Sequence, residues 1–319
     1  MKKALRHIGE GRQNISKEMA LDVLLSGKKY LAEILEATHM LRQKTFGRQI
    51  SLCQITSIKT AVCSEDCCFC AQSQTATYPP AQSYMASVAD IHTAIARTNP
   101  YTAYIGFVSS GKSASFAEIN LLQNALPKAS LTLRYCASLG ILSLSQLSLL
   151  KKAGLYRYHH NLETSEQFFP AICQSHTWQE RYHTLLLAQK VGLSICSGGI
   201  FGVGETHADR VSLAFSVKAV GANAIPLNFF TPLPETALSD VSPLDPLDIL
   251  LTMVMFRLVN PTADIRIAAG RKQLGTLQSF AFMAGVSGMM IGDLLTTTGS
   301  DMLSDLTLLS QLGYRPTRQ

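Results

Sequence analysis

The feature that most restricts the fold of this 319-residue chain is a repeated alternation of short apolar segments with longer amphipathic ones. The short segments are rich in β-branched and apolar residues, which is typical of buried strands, and the longer ones have apolar residues at helical spacing. Strands that alternate with helices form parallel sheets built from βα units. We predict eight strands, at residues 50–59, 101–109, 131–137, 156–162, 193–198, 224–229, 265–269 and 289–291.

Eight strands interleaved with helices predict a complete (βα)8 barrel of the TIM type. The predicted helices lie at residues 88–98, 116–126, 143–153, 178–191, 207–220, 246–258, 274–284 and 301–312. Helical spacing also occurs before the first strand, at residues 15–28 and 30–42. We therefore expect an N-terminal helical segment over residues 1–49 and a barrel domain over residues 50–319.

Composition excludes several classes of protein. The chain is 47% hydrophobic and 16% charged, which supplies a core and argues against disorder. The apolar run at 249–259 is interrupted by Arg257, and the N-terminus lacks the apolar core of a secretory signal, so we expect a cytoplasmic protein without a membrane span. The net charge of +6 is scattered, which argues against nucleic-acid binding and suits an acidic electron-donor protein.

A cluster of cysteines follows the first predicted strand. Residues 63–70 (CSEDCCFC) contain the spacing C-x3-C-x2-C through Cys63, Cys67 and Cys70. Three thiolates on one loop hold three irons of a [4Fe-4S] cluster, and the fourth iron is then open to chelate S-adenosylmethionine (SAM). Phe69 would pack near the adenine of that cofactor. The alternative is a zinc knuckle, but its fourth ligand would have to be Cys68, which is adjacent to Cys67 and hard to aim at the same metal.

A glycine-rich segment follows the fifth predicted strand. Residues 197–205 (SGGIFGVGE) fit the pattern G-x-I-x-G-x-x-E through Gly198, Ile200, Gly202 and Glu205. Glycines let a backbone approach a flat adenine closely. Such turns are usually only turns, so the position after a barrel strand is what favours cofactor binding here.

These motifs resemble the biotin synthase family. The similar blocks are residues 63–73 (CSEDCCFCAQS), 158–165 (YHHNLETS), 196–206 (CSGGIFGVGET), 226–229 (PLNF), 265–271 (IRIAAGR) and 292–298 (GDLLTTT). The resemblance implies a radical SAM sulfurtransferase that converts dethiobiotin to biotin. It further implies a flavodoxin or ferredoxin as electron donor and a homodimer.

The resemblance also implies a second, sacrificial iron–sulfur cluster inside the barrel, [2Fe-2S] or larger, as the sulfur donor. Its ligands in the family are three cysteines and an arginine. Cys136, Cys196 and Arg266 match three of those positions. The fourth does not match, because Gly106 stands in the second predicted strand where many members have cysteine.

Barrel geometry suggests a replacement ligand. Interior layers of such barrels are built by side chains from alternate strands. Cys136, Cys196 and Arg266 lie on the third, fifth and seventh predicted strands, and the first carries Cys53. We hypothesise that Cys53 completes the ligand set. The alternative is that Cys53 is a small buried hydrophobe.

Further site residues follow from the resemblance. Asn161 and Glu163 would bind the ribose of SAM, with Asn161 also reaching the substrate. Arg181 would meet the SAM carboxylate, Ser110 its amine, and Asn228 the substrate. The alternatives are helix capping for Asn161 and Glu163, an exposed position for Arg181 and a turn role for Asn228.

Three other residues have less certain roles. On a strand, His159 and His160 point to opposite faces, so only His159 is expected to face the cavity. Cys173 could be a spare thiol, a persulfide carrier or merely buried. A rival function on the same scaffold is a maturase or mutase without sulfur insertion. Retention of Cys136, Cys196 and Arg266 argues against that rival.

Overall fold

Eight parallel strands close into a barrel in the computed structural model, which describes residues 2–60, 63–76, 82–127, 133–233, 236–292 and 301–317. The barrel strands are β1 (Gln49–Thr60), β2 (Tyr104–Ser109), β3 (Arg134–Ser138), β4 (Arg157–His159), β5 (Ser194–Cys196), β6 (Ala224–Phe229), β7 (Asp264–Ile267) and β8 (Gly288–Met290). Each strand pairs with the next, and β8 pairs in parallel with β1, so the sheet has no open edge. The predicted (βα)8 barrel is confirmed.

Three further strands accompany the barrel. Tyr84–Met85 pairs antiparallel with the end of β1, and Arg315–Pro316 pairs with its beginning. Gly199–Phe201 continues β5 after a break and pairs with β6. Pro226 of β6 lies beside this break, where its missing N–H interrupts no ladder hydrogen bond.

The helices are α1 (Lys2–Gly9), α2 (Lys17–Ser26), α3 (Leu31–Phe46), α4 (Val88–Ala96), α5 (Phe116–Ala125), α6 (Leu144–Lys152), α7 (Phe169–Ile172), α8 (Trp178–Lys190), α9 (His207–Ala219), α10 (Pro246–Val259) and α11 (Met302–Gln311). Five of them, α4, α5, α6, α8 and α9, begin with a capping box, in which a Ser or Thr and an acidic or Gln side chain three residues later exchange hydrogen bonds with each other's backbone. Each cap stabilises its helix by about 1 kcal/mol and fixes where the loop after a strand ends.

One predicted element differs from the structure, and two helices were not predicted. The predicted helix at 274–284 is a 3-10 segment, Arg271–Ala281, interrupted at Gly275, whose φ of +51° lies outside helical geometry. The spacing of apolar residues there is helical, but this glycine breaks the turn. Helices α1 and α7 were not predicted. Residues 131 and 132 of the third predicted strand and residues 293–298 of the last similar block lie outside the described residues.

The N-terminal helices cover one side and one end of the barrel. Helices α2 and α3 pack against α10, and Gly27 gives α2 a close approach to Leu251. Arg42 of α3 is buried and donates hydrogen bonds to the carbonyls of Gln49 at 2.8 Å and Val286 at 2.9 Å, beside the starts of β1 and β8. The division of the chain at residue 49 stays a prediction. Among the described helices, none is both long and apolar enough to cross a membrane.

Phe256 tests how the outer helices hold the site in place. It is fully buried on α10 and meets Phe201 edge-on, with ring centroids 5.4 Å apart. We expect Phe256→Ala to lower the free energy of unfolding by about 3–5 kcal/mol, since it leaves a cavity. Phe116 is 64% exposed, and Phe116→Ala, as the control, should change it by less than about 0.5 kcal/mol. Urea denaturation measures both, and equal effects would contradict this packing.

Candidate active site

The three cysteines of the C-x3-C-x2-C motif lie on the loop that follows β1, at the carboxyl end of the barrel. The loop is closed by backbone hydrogen bonds from Cys63 N–H to the carbonyl of Gln72, at 2.9 Å, and from Cys70 N–H to the carbonyl of Cys67, at 3.1 Å. All three thiols are half-buried. Three thiol donors on one folded loop fit a [4Fe-4S] cluster with one open iron.

A second loop, which follows α7, holds the triplet loop in place. The carboxylate of Asp66 accepts the backbone N–H groups of Gln174 and Ser175, each at 3.0 Å. Burial alone raises the pKa of Asp66, but the donors on Ser175 and Gln174 outweigh burial and lower it below its usual value. Glu65 accepts the Ser175 hydroxyl and contacts His176 Nδ1, both at 2.7 Å. The loop position is therefore fixed by residues about 110 positions further along the chain.

Cys173 lies on this second loop, next to the triplet. Its Sγ is 3.6 Å from Cys67 Sγ and 3.3 Å from His176 Nδ1. The hydrogen bond from Cys67 lowers the pKa of Cys173 to about 5, and the same contact raises the pKa of Cys67. Cys173 therefore lies in contact with the triplet and with a histidine. Cys68 contributes its backbone N–H to the carbonyl of Ile172, at 3.0 Å.

A cavity of about 330 Å³ runs inside the barrel below the triplet loop. It brings together predicted site residues from distant parts of the chain. Those that line it are Cys53, Phe69, Cys136, Asn161, Glu163, Cys196, Ile200, Asn228 and Arg266. His159 also lines it, as expected, whereas His160 is buried in the packing behind β4.

Cys53, Cys136 and Cys196 are all buried, on β1, β3 and β5. Burial raises the pKa of the Cys136 thiol to about 12 and also raises the pKa of Cys53 and Cys196. Thiolates at this depth need cationic partners, which iron ions supply. The residues present therefore fit an iron–sulfur cluster.

Gly106 lies in the wall of the same cavity, next to Cys136 in the β2–β3 register. A Cβ atom there would come within 3.3 Å of Ile55 Cγ2. Arg266 enters the cavity from β7 and pairs with Asp264, with its Nε 2.8 Å from the carboxylate. The four residues of the predicted second ligand set therefore surround one space.

Arg157 of β4 lines the same cavity, and the sequence reasoning missed it. It is 4% exposed and lies in register with Cys136 of β3 and Ser194 of β5. The alternation of side chains along a strand could have identified it, because it places Arg157 on the same face as His159. Nδ1 of His159 is 3.2 Å from Cys196 Sγ, and burial lowers the pKa of His159 to about 4, so the imidazole is neutral.

The residues predicted to bind SAM form a connected group around Arg181. Its Nε donates to the backbone carbonyl of Asn161 at 2.6 Å, its Nη2 to Glu163 at 3.1 Å, and Nη1 contacts His176 Nε2 at 2.8 Å. The side chain is 13% exposed, so the alternative of an exposed arginine is wrong. Asn161 Oδ1 accepts the N–H of Gly198 at 3.0 Å, rather than capping a helix.

Glu163 has an unusual backbone. Its φ of +67° is the only positive value outside glycine among the described residues. Its carbonyl accepts the N–H of Ile200 at 2.9 Å, which ties the end of β4 to the strand after β5. A left-handed residue with a Cβ costs about 1 kcal/mol, and such strain is found where a side chain must be aimed.

The glycine-rich segment has structural reasons of its own. A Cβ at Gly198 would lie 1.9 Å from the carbonyl oxygen of Pro226, so only glycine fits, and Gly202 has φ +90°. Glu205 accepts the N–H groups of Gly202 and Val203, each at 2.9 Å, and pairs with Arg210 at 2.8 Å. Of this motif, Ile200 is the member that lines the cavity.

Of two further predicted residues, Asn228 lines the barrel cavity and Ser110 lies outside it. Asn228 is held by its own amide, which donates to the carbonyl of Gly199 at 3.1 Å and accepts from Ala269 N–H at 3.2 Å. Ser110 lies outside the barrel cavity, in a neighbouring pocket that Ser64 of the triplet loop also lines. The Ser110 Oγ is buried without a hydrogen-bond partner among the described residues.

Together, a (βα)8 barrel, a three-cysteine loop after β1 and an interior cavity beneath it define a radical SAM enzyme. The sequence profile of the radical SAM superfamily matches residues 57–217, and that of the biotin and thiamin synthesis associated domain matches residues 226–315. The methylornithine synthase structure is similar, with a TM-score of 0.83 at 17% identity over 98% of this chain and 97% of that one. The hydrogenase maturase HydG from Carboxydothermus hydrogenoformans gives 0.83 at 13% identity over 99% and 78%.

Curated relatives narrow the class. Biotin synthase of Maridesulfovibrio salexigens is 42% identical over 98% of this chain and 96% of its own length. Biotin synthase of Endomicrobium trichonymphae is 39% identical over 98% and 97%. The chain belongs to the biotin synthase family. The predicted family is confirmed, and with it a [4Fe-4S] cluster and SAM as cofactors.

The triplet can be tested cysteine by cysteine. We expect Cys63→Ala, Cys67→Ala or Cys70→Ala to abolish the [4Fe-4S] cluster, since two thiolates do not hold a cubane. Cys68→Ala is the matched control in the same loop and should retain it. Iron content and visible absorption after anaerobic reconstitution measure both. Equal loss in Cys68→Ala would contradict the assignment.

His176 tests the support of Arg181. We expect His176→Gln to weaken SAM binding about tenfold, because Arg181 loses a neighbour that holds it against Asn161 and Glu163. The cluster should persist, since the three triplet cysteines are unchanged. Calorimetric titration with SAM measures the effect. His183→Gln, an exposed position on α8, is the control, and unchanged affinity in His176→Gln would contradict the positioning role.

Proposed function

We propose that this chain inserts sulfur into dethiobiotin to form biotin, with an auxiliary iron–sulfur cluster held by Cys53, Cys136, Cys196 and Arg266 as the sulfur donor. The observation that carries the proposal is the arrangement of these four side chains. They come from β1, β3, β5 and β7 and line the cavity that Asn161 and Glu163 also line. A sulfur donor and a radical generator would thus face one substrate.

Bound at their sites, the two clusters and SAM supply a hydrogen-abstracting carbon radical and the inserted sulfur. The chain's own residues bind, orient and exclude water. Ile55, Val108 and Met290 give the cavity apolar walls for an aliphatic substrate. Asn161 and Asn228 offer amide groups to a ureido ring. Because each amide is already held by backbone groups, its orientation is set before a substrate arrives.

Cys53 is proposed as the substitute for the ligand missing at Gly106. The β1–β2 register pairs Cys53 with Tyr104 and Ile55 with Gly106, so Cys53 lies deeper than position 106. Cys53 interacts electrostatically with Cys136, Cys196 and Arg266, so these groups lie near one another. Cys173, the other cysteine considered, lies beside Cys67 at the triplet instead.

The rival function is a maturase or mutase reaction without sulfur insertion. Methylornithine synthase and HydG share this fold, but at 13–17% identity they support the fold alone. Three buried thiols and a guanidinium inside the barrel favour sulfur insertion, since a reaction without a sulfur donor gives them no chemical task. We further propose a flavodoxin or ferredoxin as electron donor, a homodimer and a cytoplasmic location. The net charge of +6 suits an acidic donor.

The experiment that tests the proposal compares Cys53→Ser with Cys68→Ser. Both are reconstituted anaerobically and assayed with SAM, a reductant and dethiobiotin. We expect Cys53→Ser to lose the auxiliary iron and sulfide and to form no biotin, while still producing 5′-deoxyadenosine. Cys68→Ser should behave as the unchanged chain.

Two results would decide against the proposal. If the unchanged chain binds only the iron of the triplet in every preparation, there is no auxiliary cluster. If it cleaves SAM in the presence of dethiobiotin and never yields biotin, the rival function is favoured. Full auxiliary iron in Cys53→Ser would overturn the role of Cys53 alone.

A further inference from the structure

A second buried guanidinium, that of Arg157, enters the thiol-lined end of the cavity. Arg157 lies on β4, directly beside Cys136 of β3 in the strand register. It is 4% exposed and is part of the cavity wall. The layer of alternate strands that contains the proposed ligands does not include β4, so Arg157 is an addition to that set.

The surroundings of Arg157 leave part of it without a partner. Its Nε donates to Ser194 Oγ at 3.2 Å, and its guanidinium carbon lies 4.3 Å from the ring centre of Tyr104. Nη1 is buried and has no hydrogen-bond partner within the described parts of the chain. Leaving a buried donor unsatisfied is costly, so an acceptor is expected at this point.

Arg266 differs in its charge, which is paired with Asp264 at 2.7 Å from Nη2, although that nitrogen also makes no hydrogen bond within the described residues. Arg157 takes part in none of the ion pairs formed within the described residues. The ionisable groups that act on it include Arg266, Cys136, Cys196 and Tyr104. Asp264 also interacts electrostatically with Arg157, but its ion pair is with Arg266.

We propose that Arg157 binds the auxiliary cluster as its second guanidinium, by donating the Nη1 N–H to a sulfur of the cluster or of its thiolate ligands. The inference rests on the proposed sulfur-donor cluster. A sulfur acceptor satisfies the unpartnered N–H, and an anionic cluster balances the unpaired charge. Hydrogen bonds and positive charge next to cluster sulfur stabilise the reduced form, so Arg157 also raises the cluster's reduction potential.

The test uses the full-length chain with Arg157→Gln and Arg157→Lys. Arg134→Gln is the matched control, because Arg134 stacks on Tyr156 at 4.3 Å and is not part of the cavity wall. After anaerobic reconstitution, the rate of iron loss to a chelator and the midpoint potential are followed by electron paramagnetic resonance. The signal of the triplet cluster changes when SAM is added, which separates it from the auxiliary signal.

We expect Arg157→Gln to lose auxiliary iron at least about tenfold faster and to shift its potential to more negative values. Arg157→Lys keeps the positive charge but lacks the planar guanidinium. Its rate of iron loss and its potential should lie between those of Arg157→Gln and the unchanged chain. The triplet cluster, unaffected in each variant, reports that the barrel is folded. Arg134→Gln should match the unchanged chain.

Two outcomes would overturn the inference. One is unaltered iron loss and potential in Arg157→Gln, and the other is an equal effect of Arg134→Gln. Failure of the proposed function looks different, because the unchanged chain itself would then show no auxiliary signal. The two failures are therefore distinguishable in one set of preparations.

Discussion

The stacking of two guanidinium groups on one tyrosine is the interaction on which the interior of this barrel depends. The guanidinium carbons (Cζ) of Arg157 and Arg266 lie 4.3 and 4.4 Å from the ring centre of Tyr104. Buried charges are costly unless they are paired, and a single carboxylate, Asp264, is buried close to Arg266. Ser51 and Ser287 donate to that carboxylate at 2.6 and 2.8 Å, which joins β1 and the approach to β8 to β7. The remaining positive charge faces three thiols.

The upper part of the site depends on a second chain of contacts. Glu65 contacts His176, His176 contacts Arg181, and Arg181 reaches Glu163. These four groups lead from the triplet loop to the strained end of β4. The triplet loop and Glu163, which is proposed to bind the ribose of SAM, therefore share one polar network, and its position is set by the loop after α7.

The barrel could be predicted from the sequence because parallel strands buried on both faces appear as short apolar runs. The resemblance to the biotin synthase family indicated Cys136, Cys196 and Arg266, the alternation of barrel strands added Cys53, and all four line one cavity. The period of two along a strand places Arg157 on the interior face, but β4 is not one of the alternate strands that form the predicted ligand layer. His176 had no local signal, because its contact with Glu65 joins positions 111 residues apart. At 274–284 the apolar spacing was helical, and Gly275 with its positive φ decided otherwise.

The capping boxes have a consequence for how such a chain changes over evolutionary time. Each of the five is encoded within four consecutive residues, from Ser87–Asp90 at α4 to Thr206–Asp209 at α9. The restart of each helix is therefore specified locally, whatever precedes it. The loop between the end of a strand and the next cap can change in sequence, length or chemistry while the following helix still begins at its cap. Loops that follow different strands can therefore change independently of one another, and this independence lets one fold support many reactions.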